Sequence, residues 1–532
     1  MTVHAAHRPV HQGHRVLVLD AHADFDRTVV GAKGRGLAEM ARLGLPVPPA
    51  FCLTVEWGPA VAADPAAVVD AAWDDVLGGL GWLQGRTGAT FGGGARPLLV
   101  AVRSSGATSM PGMLETVLDV GVDAAVADAL GAAHTPDFAH DTVERFRRGY
   151  RRAVHAAPPE QPYAQLRAAI EAVLASWSSP RVTAYRRHHG LSEPGAVAVL
   201  VQAMVFGNLD THSGTGVLFT RNPATGAREP FGEWLPTGQG DDVVSGVTDC
   251  QPIEALRRAL PHVHAELLEA GRRLETHAAD VQDIEFTVER GRLWLLQSRV
   301  AQRSPRAAVR LALDLHDEGL IDDALALARV TPAQLRAAMA TTLAPETRQA
   351  AELLATGLPA SPGVASGVVC TTSDAAADAA DEGRDVVLVR PTTSPDDMAG
   401  MVAARAVVTE VGGATSHAAI VARELGLPAV VGCGSGLGER LDGRTVTVDG
   451  DTGEVRDGAL PLSAWSADDT PELHRLTDLA RRVSPLRVHD AGPHPAVAAT
   501  ESAVAAALGQ GWTDVVSSDP LVATLIAARG RR

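Results

Sequence analysis

The stretch "ARAVVTEVGGATSHAAIVARELG", Ala404 to Gly426, leaves the backbone few choices. An apolar run rich in valine ends in two glycines, which predicts a strand stopped by a tight turn. The Ala-rich segment after it predicts a helix, with Thr415 or Ser416 as N-cap and Gly426 as terminator. A strand fed through glycines into a helix is an α/β unit. His417 falls in the first turn of that helix. The positive end of the helix dipole disfavours an imidazolium there, so the ring stays neutral and nucleophilic at neutral pH. Free N–H groups at the same end stabilise an attached phosphoryl group. Ala418 and Ala419 leave space for a nucleotide to approach. Two readings follow: a covalent phosphate carrier, or a capping histidine without chemistry. The rest of the chain decides between them by whether it supplies phosphate.

At 532 residues there is room for about three or four domains. Hydrophobic content of 46% and charged content of 21% fit a globular chain. A net charge of −16 argues against nucleic acid or an anionic membrane as main partner. No apolar run reaches the roughly 18 residues of a membrane span, and the start lacks the apolar core of a signal peptide. Cys52, Cys250, Cys370 and Cys433 lie far apart without a CxxC pair. Reduced thiols in a cytoplasmic protein are expected, not a disulfide framework or a zinc site.

Of the 47 lysines and arginines only one is lysine, Lys33. The excess of Ala, Gly and Arg favours arginine wherever charge alone suffices. A lysine that survives such pressure is expected to be needed as a compact point charge between phosphate oxygens, which a planar guanidinium does not replace.

Lys33 sits in "GAKGRG" (31–36), which predicts a glycine loop before a helix with Leu37, Met40, Ala41 and Leu45 at helical spacing. "RVLVLD" (15–20) and "PLLVAVRSS" (97–105) predict strands, and 120–190 predicts helices. "AVAVLVQAMVFG" (196–207), "GTGVLFTRNP" (214–223) and "DIEFTVERGRLWLLQSR" (283–299) predict sheet, the last as a hairpin turning at Arg290-Gly291. Residues 303–356 read as helical, and "GLPASPG" (357–363) as a turn-rich junction. Three glycine-bearing loops, around Lys33, Gly112 and Gly214-Gly216, are each ambiguous alone. Together they offer backbone N–H groups that could cradle polyphosphate. Arg103, on the strand before the second loop, could clamp phosphate or serve as an ordinary ion-pair partner.

In the hairpin, Asp283 and Glu285 are two apart and share a strand face, while Gln297 and Arg299 share a face of the return strand. Oxygen donors of this kind suit the Mg²⁺ that accompanies ATP. The plainer reading is a solvated face with a salt bridge to Arg299.

In these stretches, with "AVRSSGATSMPGMLETVLDVG", "GEWLPTGQGDDVVSG" and "TSPDDMAGMVAARAVVTEVGGATSHAAIVARELGLPAVVGCG", the sequence resembles the pyruvate phosphate dikinases of the phosphoenolpyruvate-utilising enzyme family, in family order over about 15–460. The resemblance implies an α/β (α+β multidomain) chain. It would comprise an ATP-grasp-like nucleotide-binding domain (1–302), a helical linker (303–356), a swivelling phosphohistidine domain (357–462) and a short barrel-start remnant (463–532). It further implies Lys33 and Arg103 on ATP phosphate, and Gly112, Gly214 and Gly216 in phosphate loops. Asp283, Glu285, Gln297 and Arg299 would serve nucleotide and metal, with Asp283, Glu285 and Gln297 as Mg²⁺ ligands. His417 would be the phosphorylated residue.

A departure follows. The family continues into a barrel for pyruvate and phosphoenolpyruvate, which needs about 250 residues. Residues 486–518 resemble only that barrel's first strand, helix and second strand, and the catalytic triplet expected after "GW" is absent. The expectation is therefore a dikinase that loads His417 from ATP and phosphate and passes the group on through a separate barrel protein. A different small-molecule acceptor, water as γ-phosphoryl acceptor, and a non-catalytic nucleotide-binding remnant are the alternatives.

Overall fold

The computed structural model describes residues 15–530 apart from 23–24, 58–63, 109, 111–113, 189–196, 245–249, 340–341, 344 and 464–469. Gly112 lies outside the described residues.

Two five-stranded sheets build the first half. One runs Val16–Val18, Ala50–Leu53, Val197–Ala203, Val100–Gly106, Thr116–Val120 in spatial order. Its central strands are apolar on both faces. Phe51, Leu53, Val199 and Val201 face one core, under the helices Pro65–Thr87 and Pro162–Ser176. Their neighbours Cys52, Ala198 and Leu200 face a second core, under the helix Arg27–Arg42. The other sheet runs Gln251–Pro252, Phe231–Pro236, Gly214–Phe219, Gln282–Glu289, Arg292–Val300. The hairpin turns at Arg290 and Gly291, both with positive φ, as their sequence predicts.

The expected loop at 31–36 is instead part of the helix Arg27–Arg42, broken once at Gly31 (φ 73°, ψ 176°). Ser105 bridges the break: its hydroxyl donates to the Val30 carbonyl at 2.8 Å and accepts from Gly34 N–H at 3.1 Å. A Cβ on residue 31 would lie 2.1 Å from the Ser105 carbonyl oxygen, so only glycine allows the helix to cross the strand this closely.

The third body is an eight-stranded sheet whose parallel centre holds Val364–Cys370, Val386–Arg390, Ala406–Thr409 and Ala429–Val431. Separate cores cover its two faces. Leu353–Thr356 and Leu358–Ser361 are its edge strands. Thus 353–356 is strand rather than helix, and the 357–363 stretch is mostly strand rather than open junction. The chain enters and leaves this body through two short strands paired with each other, Thr342↔Ser463 and Leu343↔Leu462.

The helices Pro305–Asp317, Asp323–Arg329 and Pro332–Ala338 pack with Pro471–Val483 and Pro520–Arg529 around one core. In between, Arg487–His489 and Asp514–Val516 form a parallel pair joined by the helix Glu501–Gly509. That is the strand–helix–strand order expected for 486–518. Among the described residues no helix is long and apolar enough to cross a membrane, and all four cysteines are free thiols.

Candidate active site

A cleft of about 620 Å³ opens where the two five-stranded sheets face each other and the eight-stranded body closes one side. The first sheet and its helix supply Lys33 and Arg103, the second supplies Asp283, Glu285, Gln297 and Arg299, and the third body supplies Asp396, Thr415 and His417. Seven of the ten residues expected to bind or react therefore line one cavity. The register explains the hairpin's share: Asp283 pairs with Arg299 and Glu285 with Gln297, so all four project from one face.

Gly214 and Gly216 are not among the lining residues, and that expectation is corrected. They lie within the strand Gly214–Phe219. A Cβ at Gly214 would fall 2.1 Å from the Trp234 ring, and one at Gly216 2.3 Å from the Glu233 carbonyl oxygen. Close packing, not phosphate, requires these glycines.

Arginines match the carboxylates. Arg299 Nε donates to Asp283 at 2.8 Å, and Arg103 donates to Glu285 at 3.2 Å and to the Gln297 side-chain oxygen at 3.4 Å. Burial pushes the Asp283 carboxyl up, opposed by Arg299. Burial also opposes the charge of Glu285, but Arg103, Arg299 and Lys33 outweigh it and hold its carboxyl below the usual range. Burial, with Arg103 next, brings the Lys33 ammonium down to about 7. Arg103 and Arg299, with a lysine that an anion can recharge, give the cleft the groups a polyphosphate needs. Asp283, Glu285 and Gln297 converge as hard oxygen donors, and this set fits Mg²⁺.

The helix His417–Leu425 begins and ends where the sequence predicts: Ser416 has N-cap dihedrals, and Gly426 closes it with φ 69°. The cap makes no side-chain bond. Thr415 instead gives its hydroxyl to Glu233, which pins the helix start against the second sheet. A Cβ on Gly413 would lie 2.0 Å from a Glu233 carboxylate oxygen, so the Glu233 side chain would have to shift to admit one. His417 Nδ1 lies 3.2 Å from Thr393 Oγ1. Its Nε2, and the neighbouring Ser416 hydroxyl, are buried without a hydrogen-bond partner. Such orphaned atoms beside a cavity mark a place for a ligand. Burial lowers the pKa of His417; Asp397 opposes and Arg181 adds to the effect.

Sequence reasoning missed Glu233, Thr393, Arg152, His155 and Arg181. Arg181 lines the cleft and bridges Glu115 at 3.4 Å and Asp396 at 3.8 Å, joining the first half of the chain to the third body. No local pattern marks these residues: Glu233, Thr393 and Arg181 gain their meaning from partners far along the chain, and Arg152 and His155 from lining the cleft.

Comparison with known proteins agrees with this arrangement. Residues 86–264 match the AMP/ATP-binding domain of pyruvate phosphate dikinase, and residues 383–453 match the mobile domain of PEP-utilising enzymes. Fold and site thus define a nucleotide-binding domain coupled to a mobile domain of the phosphoenolpyruvate-utilising class. The chain is 37% identical over 532 residues to a pyruvate, phosphate dikinase of Rhizobium meliloti, covering 86% of this chain and 59% of that one. It is 38% identical to pyruvate, phosphate dikinase 2 of Zea mays, with 82% and 56% covered. To the Clostridium symbiosum enzyme it is 36% identical, with 84% and 58% covered. The chain is thus similar to pyruvate, phosphate dikinases, and it spans less than two thirds of the length of these relatives.

Proposed function

We propose that the protein is a cytoplasmic, Mg²⁺-dependent phosphotransferase of the pyruvate phosphate dikinase type, loading His417 from ATP and phosphate. The observation that carries this reading is His417 in the same cleft as Lys33, Arg103, Asp283 and Glu285. Lys33, Arg103 and Arg299 grip the triphosphate, and the N-terminus of the helical segment after Gly31 adds its N–H groups. Mg²⁺ held by Asp283, Glu285 and Gln297 would neutralise phosphate charge. The reaction uses the tautomer in which Nδ1–H of His417 donates to Thr393 Oγ1, so that the Nε2 lone pair is free. Nε2 attacks the β-phosphorus, and the bond from that phosphorus to the α,β-bridging oxygen breaks. AMP leaves with the electron pair, a phosphate oxygen then attacks the γ-phosphorus, and the bond from that phosphorus to the β,γ-bridging oxygen breaks to release pyrophosphate. His417 retains the β-phosphoryl. The third body then swings on its paired linkers to carry the phosphoryl group to its acceptor.

The test is incubation with ATP labelled at the β-position, Mg²⁺ and phosphate. AMP, pyrophosphate and an acid-labile, base-stable label lost in His417→Asn are expected. Accumulation of ADP, or label that survives His417→Asn, would overturn the reading.

A further inference from the structure

Far from the cleft, three side chains come together on the small parallel sheet near the C-terminus. Among the described residues, His489, His494 and Asp514 form the one group of three or more His, Cys, Asp or Glu side chains whose ligand atoms all lie within 4.8 Å of one another. The backbone dictates the grouping. Arg487–His489 and Asp514–Val516 run parallel, with Arg487 opposite Asp514 and His489 opposite Val516. Val488 and Val515 turn into the core, so His489 and Asp514 share the opposite face.

The site has supporting groups of its own. Thr513 donates to Asp514 Oδ2 at 2.9 Å, while Oδ1 faces His489 Nε2 at 3.1 Å. The loop bearing His494 is tied down just after that residue: Val516 N–H donates to the Pro495 carbonyl at 2.9 Å, and Val497 N–H to the Val516 carbonyl at 2.8 Å. Pro493 and Pro495 flank His494 and restrict its backbone. The two imidazoles stack with centroids 4.6 Å apart and planes 18° apart.

We propose that His489, His494 and Asp514 bind a divalent ion of the zinc class, with water completing its coordination. Donors around such an ion sit about 2.0–2.2 Å from it, hence roughly 3–3.5 Å from one another. The His489–Asp514 pair already has that separation. His494 completes the set by rotating out of the stack about its side-chain torsions, with no change of backbone. Two imidazoles and one carboxylate favour Zn²⁺, Co²⁺ or Ni²⁺ over Mg²⁺, which takes oxygen donors. Thr513, holding the far carboxylate oxygen, is the kind of outer partner that orients a ligand. Arg487, on the same face, opposes the cation and tempers its affinity. The ion ties the first strand, the loop and the second strand together, which stiffens a sheet of only two short strands.

Full-length protein stripped of metal, without ATP or Mg²⁺, is titrated with Zn²⁺ against a chromophoric competitor. Wild type is expected to take up one equivalent that His494→Ala lacks. His489→Gln, which keeps a hydrogen bond to Asp514 but not the ligand, should lack it too. Thr513→Val should bind about tenfold more weakly. Co²⁺ should give a visible d–d band that the same two histidine variants abolish. Histidines near the N-terminus are unchanged in every variant and cancel in the difference. Circular dichroism identifies a misfolded His494→Ala, in which case His489→Gln decides. Equal uptake by wild type and the folded variants, or no uptake by wild type, overturns the proposal.

Discussion

Thr393 Oγ1 lies 3.2 Å from His417 Nδ1, while Nε2 of the same ring has no hydrogen-bond partner. With Nδ1–H donating to the hydroxyl, the lone pair sits on Nε2, as the proposed attack requires. Thr393→Val removes the acceptor at nearly constant volume. Single-turnover phosphorylation of His417 should then fall by about tenfold to a hundredfold, in the range of second-shell and acid–base effects. ATP affinity should be unchanged, and Thr393→Ser should restore most of the rate. An unchanged rate in Thr393→Val would remove Thr393 from the mechanism.

The pH profile carries a sign. Burial lowers the pKa of His417 from 6.5, so the reactive neutral ring persists into more acid solution than for an ordinary histidine. The acid limb of the phosphorylation rate should therefore lie below pH 6.5. A limb at or above that value would mean that the ring is solvated before transfer.

Lys33 is expected to be largely neutral above its value of about 7 in the free protein. Triphosphate oxygens favour its charged form, so ATP binding at about pH 8 should take up a proton. Calorimetry in buffers of different ionisation enthalpy should detect the uptake in wild type and not in Lys33→Met. Lys33→Ala should cost about a hundredfold or more in phosphorylation rate, as loss of a preorganised charge partner does. Lys33→Arg should recover little of it. As Lys33 is the only lysine in the chain, an amine-reactive ATP analogue should label one side chain.

Docking of the carrier rests on the fit of Gly413 and Thr415 to Glu233. Gly413→Ala drives a methyl group into that carboxylate. It should slow phosphorylation while leaving nucleotide affinity within about twofold, because the triphosphate groups belong to the other body. Equal loss of ATP affinity would mean that the two bodies do not act separately.

Leu525 is fully buried in the core shared by residues 305–338 and 471–528. Leu525→Ala should lower the stability of that body by about 2–5 kcal/mol. Thermal unfolding should show the loss. The fold of the carrier should be untouched, since its cores contain none of these residues.

Local chemistry was legible where neighbours in sequence are neighbours in space. The Asp283–Arg299 hairpin, the helix opening at His417 and the stop at Gly426 all follow from spacing and cap residues. The glycines at 31, 214 and 216 misled because a glycine needed for backbone approach has the same one-letter signature as a glycine that cradles phosphate. At Gly31 the reason is the Ser105 carbonyl, and at Gly214 the Trp234 ring, both distant in sequence. Leu353–Thr356, which read as helical, and Leu358–Ser361, where Pro359 made the run read as a turn, escaped because an edge strand is defined by its partner. Glu233 and Thr393 were illegible for the same reason: they matter only through Thr415 and His417.

The pairing of Thr342–Leu343 with Leu462–Ser463 means that the carrier begins and ends at nearly one point in space. A body attached so behaves as a cassette set into a host, because closing the gap in the host needs only a short turn and the cassette keeps its own sheet and cores. A gene in which 353–457 is excised and the cut bridged by a few residues should yield a folded host that binds ATP without reacting. The excised segment should fold separately with its histidine exposed. Mixing the two would then turn an intramolecular encounter into a bimolecular one, and the concentration at which the reaction returns would measure how much the tether contributes as effective molarity.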